Sequence, residues 1–241
     1  ASDGNSLFFS WNLGLIRTAI DAPSVPLVDK STSAIPDDLD ESGHNHIGDI
    51  DTIGDSFVLA PIEAWPNDDG VNAKVALLDR NLNLVACIPV AQKQAGAVAH
   101  NPQNGLVYLP GASSSELNAY KLNTIARTST LQYKVALDEA IYTGDAMAFS
   151  ESGHFYAASR SSSGHLTVAA YRVSGKNAQR VAKHGPTHID TFVEGIEVID
   201  APAVPGMHPQ IKGQIHVGLL DNILLDKWTM MHFAVDAPEA L

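Results

Sequence analysis

The chain contains a single cysteine, Cys87, among its 241 residues. One thiol can form neither an intrachain disulfide nor a thiolate cage for zinc. Cys87 lies in the apolar run 84–90, which predicts a buried strand. We therefore expect the thiol to be packed and unreactive, because burial disfavours the nucleophilic thiolate.

Basic residues are also scarce. The chain has 15 Lys and Arg against 27 Asp and Glu, which gives a formal net charge of −12. Nucleic acid is not an expected partner, because binding to phosphates needs a cationic face. An anionic membrane is disfavoured for the same reason. Small molecules, carbohydrates and cations remain open as ligands.

Several motifs are absent from the sequence. No apolar run approaches the roughly 20 residues of a membrane-spanning helix. The Gly-X-Ser-X-Gly nucleophile motif, phosphate-binding loops and dinucleotide-binding glycine motifs are missing as well. The chain starts at Ala1 and not at a methionine, which favours a processed, secreted protein.

The chain is instead rich in short strand-like segments. Apolar runs of about five to eight residues recur throughout, bounded by Gly, Pro, Asn, Asp or Ser. Many carry β-branched or aromatic residues, and no long segment keeps a helical period. The sequence therefore predicts an all-β protein.

The segments repeat with a fixed period. Gly48, Gly96 and Gly144 are spaced 48 residues apart, and a fourth repeat begins near Gly195. A period of about 40–50 residues that carries four strands is typical of β-propeller blades. A β-sandwich is the alternative, but it explains the strands without the period.

We predict a single propeller domain over residues 1–241, with five blades preferred and four as the alternative. Strands in residues 7–21 either complete the fifth blade or close the ring against residues 228–235. Residues 22–45 and 201–212 do not fit the repeat, and we interpret them as long surface loops that could build a ligand site.

Acidic residues are concentrated near the start of the repeats. Between Lys30 and Lys74 the chain has ten acids and no Lys or Arg. At equivalent positions the repeats carry Asp49, Ala97, Asp145 and Glu194. Carboxylates from separate blades could form an axial site for Ca²⁺, which takes six to eight oxygen ligands. The predicted metal ligands are Asp49, Asp51, Asp145, Glu194, Asp221 and Asn222.

Two structural interpretations of these acids stay open. They could form a solvated acidic loop, or cap turns and pair with Arg160 and Arg172. A third pattern is local: residues 38–43 fit the start of a calcium-binding loop in which Asp49 falls at the twelfth position.

Histidines suggest a second chemistry. In an extended segment His44 and His46 point the same way, near Asp49 and Asp51, which would suit Zn²⁺ as a less favoured metal. His46 is the predicted general base.

Part of the chain resembles known proteins. The segment HIGDID at residues 46–51, followed by FVLAPIE at 57–63, resembles secreted propeller-type proteins, over about residues 46–233. More remotely, the arrangement is similar to calcium-dependent propeller hydrolases of the paraoxonase, gluconolactonase and strictosidine synthase-like kind. That similarity implies an axial metal held by Glu, Asn and Asp from different blades, which Glu194, Asp221 and Asn222 match in type.

Two functions follow from these patterns. One is an extracellular metal-dependent hydrolase of a small ester or lactone, in which the metal polarises a carbonyl. The other is a non-enzymatic propeller, lectin-like or protein-binding, whose acids are structural. A lectin should have near-identical sites in each blade, whereas an enzyme should have one asymmetric polar site.

Overall fold

A computed structural model describes residues 1–30, 34–66, 71–189, 191–198, 215–221 and 228–233. Within these ranges nearly all regular structure is β-strand, and the one helix is the single turn α1 (Asp37–Asp40). The all-β prediction is confirmed. Among the described residues, no helix has the length and apolar character needed to cross a lipid bilayer.

The described strands form five successive antiparallel groups, which are the blades of a propeller. A short parallel pairing of residues 136–137 with 177–178 joins the third and fourth groups into one sheet. The first blade comprises β1 (Ser6–Trp11), β2 (Gly14–Ala19) and β3 (Ala22–Lys30). The second comprises β4 (His46–Ile47), β5 (Asp51–Ile53), β6 (Phe57–Glu63), β7 (Lys74–Asp79) and β8 (Leu84–Pro89). The third comprises β9 (Ala99–Asn101), β10 (Leu106–Pro110), β11 (Glu116–Asn123) and β12 (Thr128–Leu137). The fourth comprises β13 (Ala146–Phe149), β14 (His154–Arg160), β15 (His165–Ser174) and β16 (Asn177–His188). The fifth comprises β17 (Thr191–Val198), β18 (Ile215–Asp221) and β19 (Trp228–Phe233).

Successive side chains of each strand alternate between its two faces, which explains why the blades pack against one another. Val58 packs in the apolar layer between the first and second blades, whereas its neighbour Leu59 packs in the layer between the second and third. Phe155 and Tyr156 divide in the same way between the two layers that flank the fourth blade. Because successive side chains of a strand point to opposite faces, the second, third and fourth blades are each buried on both sides by their neighbours.

The repeat glycines meet at the ring axis, as the 48-residue period predicts. A β-carbon on Gly48 would overlap the carbonyl oxygen of Gly96, and one on Gly96 would lie 2.6 Å from the carbonyl oxygen of Gly144. Between the second and third blades, Asp49 N–H donates to Gly96 O at 2.9 Å. Only glycine allows the blade backbones to approach this closely.

Two expectations about the chain need correction. Residues 22–45 are not one surface loop, because Ala22–Lys30 form the outer strand of the first blade and α1 follows. Cys87 is half-buried rather than fully buried, although burial still raises the pKa of its thiol. The other predicted loop, residues 201–212, lies outside the described residues.

The N-terminal strands complete a blade of their own. Strand β1 pairs with β2, and β19 pairs with β18, so within the described strands β1 and β19 belong to different sheets. The first and fifth blades nevertheless meet at the axis, where Phe8, Asp49, Ile196 and Gly218 line a common cavity of about 40 Å³. Such a cavity has room for only one or two water molecules.

Candidate active site at the axial mouth

The predicted site residues fall into two groups along the axis. The axial group consists of Asp49 and Asp51, together with Glu197 of β17. The mouth group consists of His46, Glu63, Asp145 and Glu194: His46 contacts Glu63, and the charges of His46 and Asp145 act on Glu194. Glu194 joins the two groups, because it also lines the axial cavity with Asp49 and Glu197. Antiparallel pairing explains the second group, because β6 ends opposite the start of β4 and β14 ends opposite the start of β13.

In the axial group, Asp49 joins the blades. Its side chain is buried, with the residue 4% exposed, and Oδ2 accepts the Met147 N–H of the fourth blade at 2.9 Å. Burial raises the pKa of Asp49 well above its usual range, although the N-terminal ammonium group of Ala1 and the Met147 N–H act to lower it, and the charges of Asp51 and Glu197 act to raise it. Its carboxyl is therefore a structural acceptor between blades.

The other two axial acids are half-buried, and the N-terminal ammonium group of Ala1 lies 3.8 Å from Oε2 of Glu197. Asp51 accepts the N–H groups of Thr52 at 2.7 Å and His100 at 2.6 Å. Burial raises the pKa of Asp51 to about 6 and that of Glu197 to about 8. Glu197 was not among the predicted site residues, because its pattern in β17 is that of an ordinary alternating strand.

The mouth group is built around a histidine–carboxylate pair. Nδ1 of His46 lies 3.1 Å from Oε1 of Glu63. Glu63 is 2% exposed, and its second oxygen accepts the Ala95 N–H. With both Glu63 oxygens acting as acceptors, Nδ1 carries the imidazole proton and Nε2 carries the lone pair. This arrangement gives His46 the orientation and tautomer of a general base.

Two carboxyl groups with raised pKa values face this pair. Burial raises the pKa of Asp145 to about 6 and that of Glu194 to about 7. When His46 is protonated, its positive charge acts to lower the pKa of Glu194, whereas the negative charge of Asp145 acts to raise it. Groups that titrate near neutral pH in a partly open site are typical of proton-transfer chemistry.

The predicted contact between Asp145 and Arg160 is present in part. Asp145 accepts the backbone N–H of Arg160 at 3.1 Å, and the positive charge of Arg160 lowers its pKa. The guanidinium itself lies over the Phe192 ring, 5.1 Å from the centroid. Its Nε is buried and has no hydrogen-bond partner among the described residues.

Exposed aromatic side chains surround the mouth group. Trp65 is 52% exposed and its ring lies 5.7 Å from that of His46. Tyr142 is 59% exposed, and the charges of Asp145 and Glu63 act on its hydroxyl. Phe192 is 40% exposed. Together they give the mouth apolar surface beside its polar centre.

The structure separates several of the predicted metal ligands. Asp145 belongs to the mouth and Asp51 to the axial group, whereas Glu194 of the mouth lines the axial cavity together with Asp49. Asp221 ends β18 and its side chain is not described, and Asn222 lies outside the described residues. In the part of the chain that the structure describes, no three His, Cys, Asp or Glu side chains form a group suited to a metal ion.

The local metal patterns have structural contacts instead. His44 is buried, and its ring nitrogens contact Ser42 Oγ and Asn72 O, each at 3.0 Å. The proposed calcium loop begins in α1, where Leu39 is buried, and its twelfth residue Asp49 bonds to Met147.

Sequence reasoning found His46, Asp145 and Glu194, and it named Arg160 only as a structural partner of the acids, but it gave no role to Glu63 or Tyr142. A signal for Glu63 existed, since an acid ends the otherwise apolar strand FVLAPIE. Tyr142 and Arg160 gave no such signal, because their proximity to the mouth depends on the pairing of strands from different blades.

Comparisons with known proteins place the chain in no family. No protein-family model matches the sequence, and no curated protein matches it. Similar solved structures include hydrazine synthase of Kuenenia stuttgartiensis, at 10% identity over 96% of this chain and 64% of that one, with a TM-score of 0.47.

Two further structures are described as a "putative 6-phosphogluconolactonase". The protein from Bacteroides uniformis is 13% identical over 98% of this chain and 70% of that one, with a TM-score of 0.47. The protein from Bacteroides fragilis is 14% identical over 96% of this chain and 67% of that one, again with a TM-score of 0.47. The chain thus spans about two thirds of the length of these proteins, and likenesses of this degree assign it no activity.

Proposed function

We propose that the protein hydrolyses a small ester or lactone at the axial mouth, with His46 as general base. The observation that carries the proposal is the His46–Glu63 pair, 3.1 Å apart, in which a buried carboxylate fixes the imidazole. A base oriented by a hydrogen-bonded third group is the recurring arrangement of hydrolytic sites.

The reaction needs a base and an acid at neutral pH. Nε2 of His46 takes a proton from a water molecule, whose oxygen attacks the carbonyl carbon of the ester. Glu63 stabilises the imidazolium that forms. Glu194, protonated below its pKa of about 7, gives a proton to the departing alkoxide as the carbon–oxygen bond breaks. The products are a carboxylic acid and an alcohol, which remain joined if the substrate is a lactone.

The metal-dependent form of this reaction remains a prediction. Asp145 and Glu194 are the two predicted ligands that the mouth contains. Two carboxylates and water molecules would supply part of the oxygen shell that Ca²⁺ requires. A bound cation there would polarise the substrate carbonyl.

A lectin-like function is the second candidate, and the exposed aromatic residues favour it. Trp65, Tyr142 and Phe192 offer flat apolar surfaces beside hydrogen-bonding groups. This combination also binds sugars without hydrolysis. Binding of a neutral monosaccharide that Trp65→Ala abolishes, with no turnover of any ester or lactone, would favour this function over the hydrolase.

The test uses p-nitrophenyl esters of short acids and five- and six-membered lactones as probes. His46→Ala should lower kcat/KM by about 10²–10⁴-fold, the usual contribution of a general base. Glu63→Gln should lower it by roughly tenfold or more through loss of the oriented tautomer. His154→Ala is the control, since that residue begins β14 at the opposite end of the axis.

The pH profile tests the acid separately. Glu194 has a raised pKa, so it is protonated below about 7 and loses its proton as the pH rises through that value. Activity should therefore fall above pH 7, and Glu194→Gln should lower the rate and remove this limb. If the protein hydrolyses none of the probes, or if His46→Ala keeps the parent rate, the hydrolase proposal is wrong.

A further inference from the structure

Two side-chain hydrogen bonds hold the Trp65 backbone beside the mouth group. The N–H of Trp65 donates to Oδ1 of Asn45 at 2.8 Å, and Nδ2 of Asn45 donates to the Trp65 carbonyl oxygen at 2.9 Å. A backbone N–H can only donate and a carbonyl oxygen can only accept, so the orientation of the Asn45 amide is fixed. A primary amide supplies the required donor and acceptor on one short side chain.

The Asn45 amide extends a strand pairing that would otherwise end. Strand β4 pairs with β6 as far as His46 and Glu63, and the Asn45 N–H donates to the Glu63 carbonyl oxygen at 3.0 Å. Beyond this point the Asn45 side chain exchanges with Trp65 the two hydrogen bonds that opposed residues exchange in an antiparallel ladder. Trp65 is therefore tied to the same pair of strands that carries His46 and Glu63.

Trp65 is held without being enclosed. The residue is 52% exposed, and its ring centroid lies 5.7 Å from that of His46, with 32° between the ring planes. The hydrogen bonds to Asn45 fix the backbone from which the indole projects. An apolar ring that is fixed before a ligand arrives binds it at a lower entropic cost than a mobile ring. The half-open indole beside the base therefore has the properties of a binding surface.

We propose that Trp65 determines specificity for the acyl part of the substrate and that Asn45 is the residue that positions it. The inference rests on the proposed hydrolysis, in which Glu194 protonates the departing alcohol and His46 activates the attacking water. The alcohol part then faces Glu194, and the acyl part lies beside His46 and Trp65. Because the indole offers apolar contact area, the preferred substrates are esters of apolar acids longer than acetate.

A series of p-nitrophenyl esters tests this preference, because the leaving group stays constant. From acetate to hexanoate, kcat/KM of the parent should rise by roughly tenfold or more, since each methylene group buried against an apolar surface contributes up to about fourfold. Trp65→Ala should remove most of this increase, chiefly by raising KM for the hexanoate, because it removes binding that is equal in the ground state and the transition state.

Asn45→Asp tests the positioning role at constant size. A carboxylate still accepts the Trp65 N–H, but it has no donor for the carbonyl oxygen and repels it. The chain-length preference should therefore fall by about threefold or more, and Asn45→Ala should lower it further. The near-UV circular dichroism of Trp65, isolated by subtracting the spectrum of Trp65→Phe, should weaken in both variants. Asn123→Ala, which removes an acceptor for the Ala126 N–H in the β11–β12 turn, should change neither measurement.

Failure of this assignment can be distinguished from failure of the hydrolase proposal. Hexanamide and acetamide carry the same acyl groups in a less reactive form, so their binding reports the preference without turnover. If no ester is hydrolysed but hexanamide binds more tightly than acetamide, and Trp65→Ala abolishes the difference, the hydrolase proposal is wrong and the role of Trp65 stands. If neither esters nor amides are discriminated by chain length, or if folded Asn45 variants keep both the preference and the Trp65 signal, the inference is overturned.

Discussion

Asp49 and Asp145 occupy the same position in two repeats, one residue after the axial glycine, and yet their surroundings differ. The Asp49 carboxyl is enclosed and accepts a backbone N–H from a blade two positions away. The Asp145 carboxyl is partly open and lies beside Arg160 and Glu194. One repeat position therefore supplies a structural tie in the second blade and a candidate reactive group in the fourth.

The axial group and the mouth group differ in their surroundings in the same way as Asp49 and Asp145. The axial group is packed among glycine backbones, so a change there should alter the stability of the ring. The mouth group borders exposed aromatic residues, so a change there should alter ligand binding or turnover more than stability. A substitution in one region can therefore be compared with a matched substitution elsewhere in the chain.

The largest effect should come from Gly48→Ala. The added methyl group would overlap the carbonyl oxygen of Gly96, and a backbone atom cannot move aside as a side chain can. Overpacking of this kind costs about 3 kcal/mol or more, which lowers the melting temperature of a domain this size by roughly 6–12 °C. Thermal unfolding followed by circular dichroism measures the change.

Gly54→Ala is the control for that substitution. Gly54 has φ +54° and no atom within 4 Å of an added β-carbon, so only the backbone conformation is strained. We expect a loss of about 1 kcal/mol. Equal losses of stability for the two variants would show that contact between the blade backbones is not what requires glycine at position 48.

The second prediction concerns pH. Burial raises the folded-state pKa of Glu197 to about 8, above its unfolded value of 4.5. The folded protein then binds the proton more tightly, so this contribution is complete below pH 4.5 and is lost as the pH rises to about 8. Since one pKa unit corresponds to about 1.4 kcal/mol, the loss is on the order of a few kcal/mol.

The matched pair for this test is Glu197→Gln and Glu194→Gln, three residues apart in β17. The melting temperature of the parent should fall between pH 5 and pH 8.5. Glu197→Gln should flatten that dependence, whereas Glu194→Gln should change it less, because burial raises the pKa of Glu194 only to about 7. An equal response of the two variants would contradict the division into axial and mouth groups.

The fold class could be predicted from the sequence because it depends on the regular spacing of the strands and repeat glycines. The glycines recur with a fixed period because the backbones of Gly48 and Gly96 are in contact and leave no space for a side chain. A regular spacing of this kind can be recognised in a single sequence. Five blades were preferred to four because residues 7–21 add two strands, but whether those strands complete a blade or close the ring was decided only by their pairing with β3.

The candidate site was predictable only in part. His46 and Asp145 stood out because polar residues interrupt apolar repeat starts. Whether a carboxyl group would be enclosed or open could not be read from the repeat, because it depends on which backbone N–H a neighbouring blade presents. Glu194 illustrates the difficulty, since it precedes its glycine whereas Asp49 and Asp145 follow theirs.

The smallest and last effect concerns calcium. The sequence predicts one Ca²⁺ among carboxylates at the axis, and a metal that binds only the native state stabilises it by about 2.7 kcal/mol at a hundred times its dissociation constant. EDTA should then lower the melting temperature of the purified protein by several degrees at neutral pH, and added Ca²⁺ should restore it. Elemental analysis of the same sample measures the bound metal directly, which matters because a trapped ion could resist the chelator.

Variants of Asp49 and Asp145 would show where such an ion binds. If it lies at the mouth, Asp145→Asn should reduce the response to EDTA, because an amide is a weaker calcium ligand than a carboxylate. Asp49→Asn should keep the response, because the Asp49 carboxyl is bonded to Met147 and an amide oxygen can still accept that bond. Asp21→Asn, in the exposed β2–β3 turn, should behave like the parent. If no metal is detected and EDTA leaves every melting curve unchanged, the calcium prediction is wrong, and the carboxylates of the mouth act through protons alone.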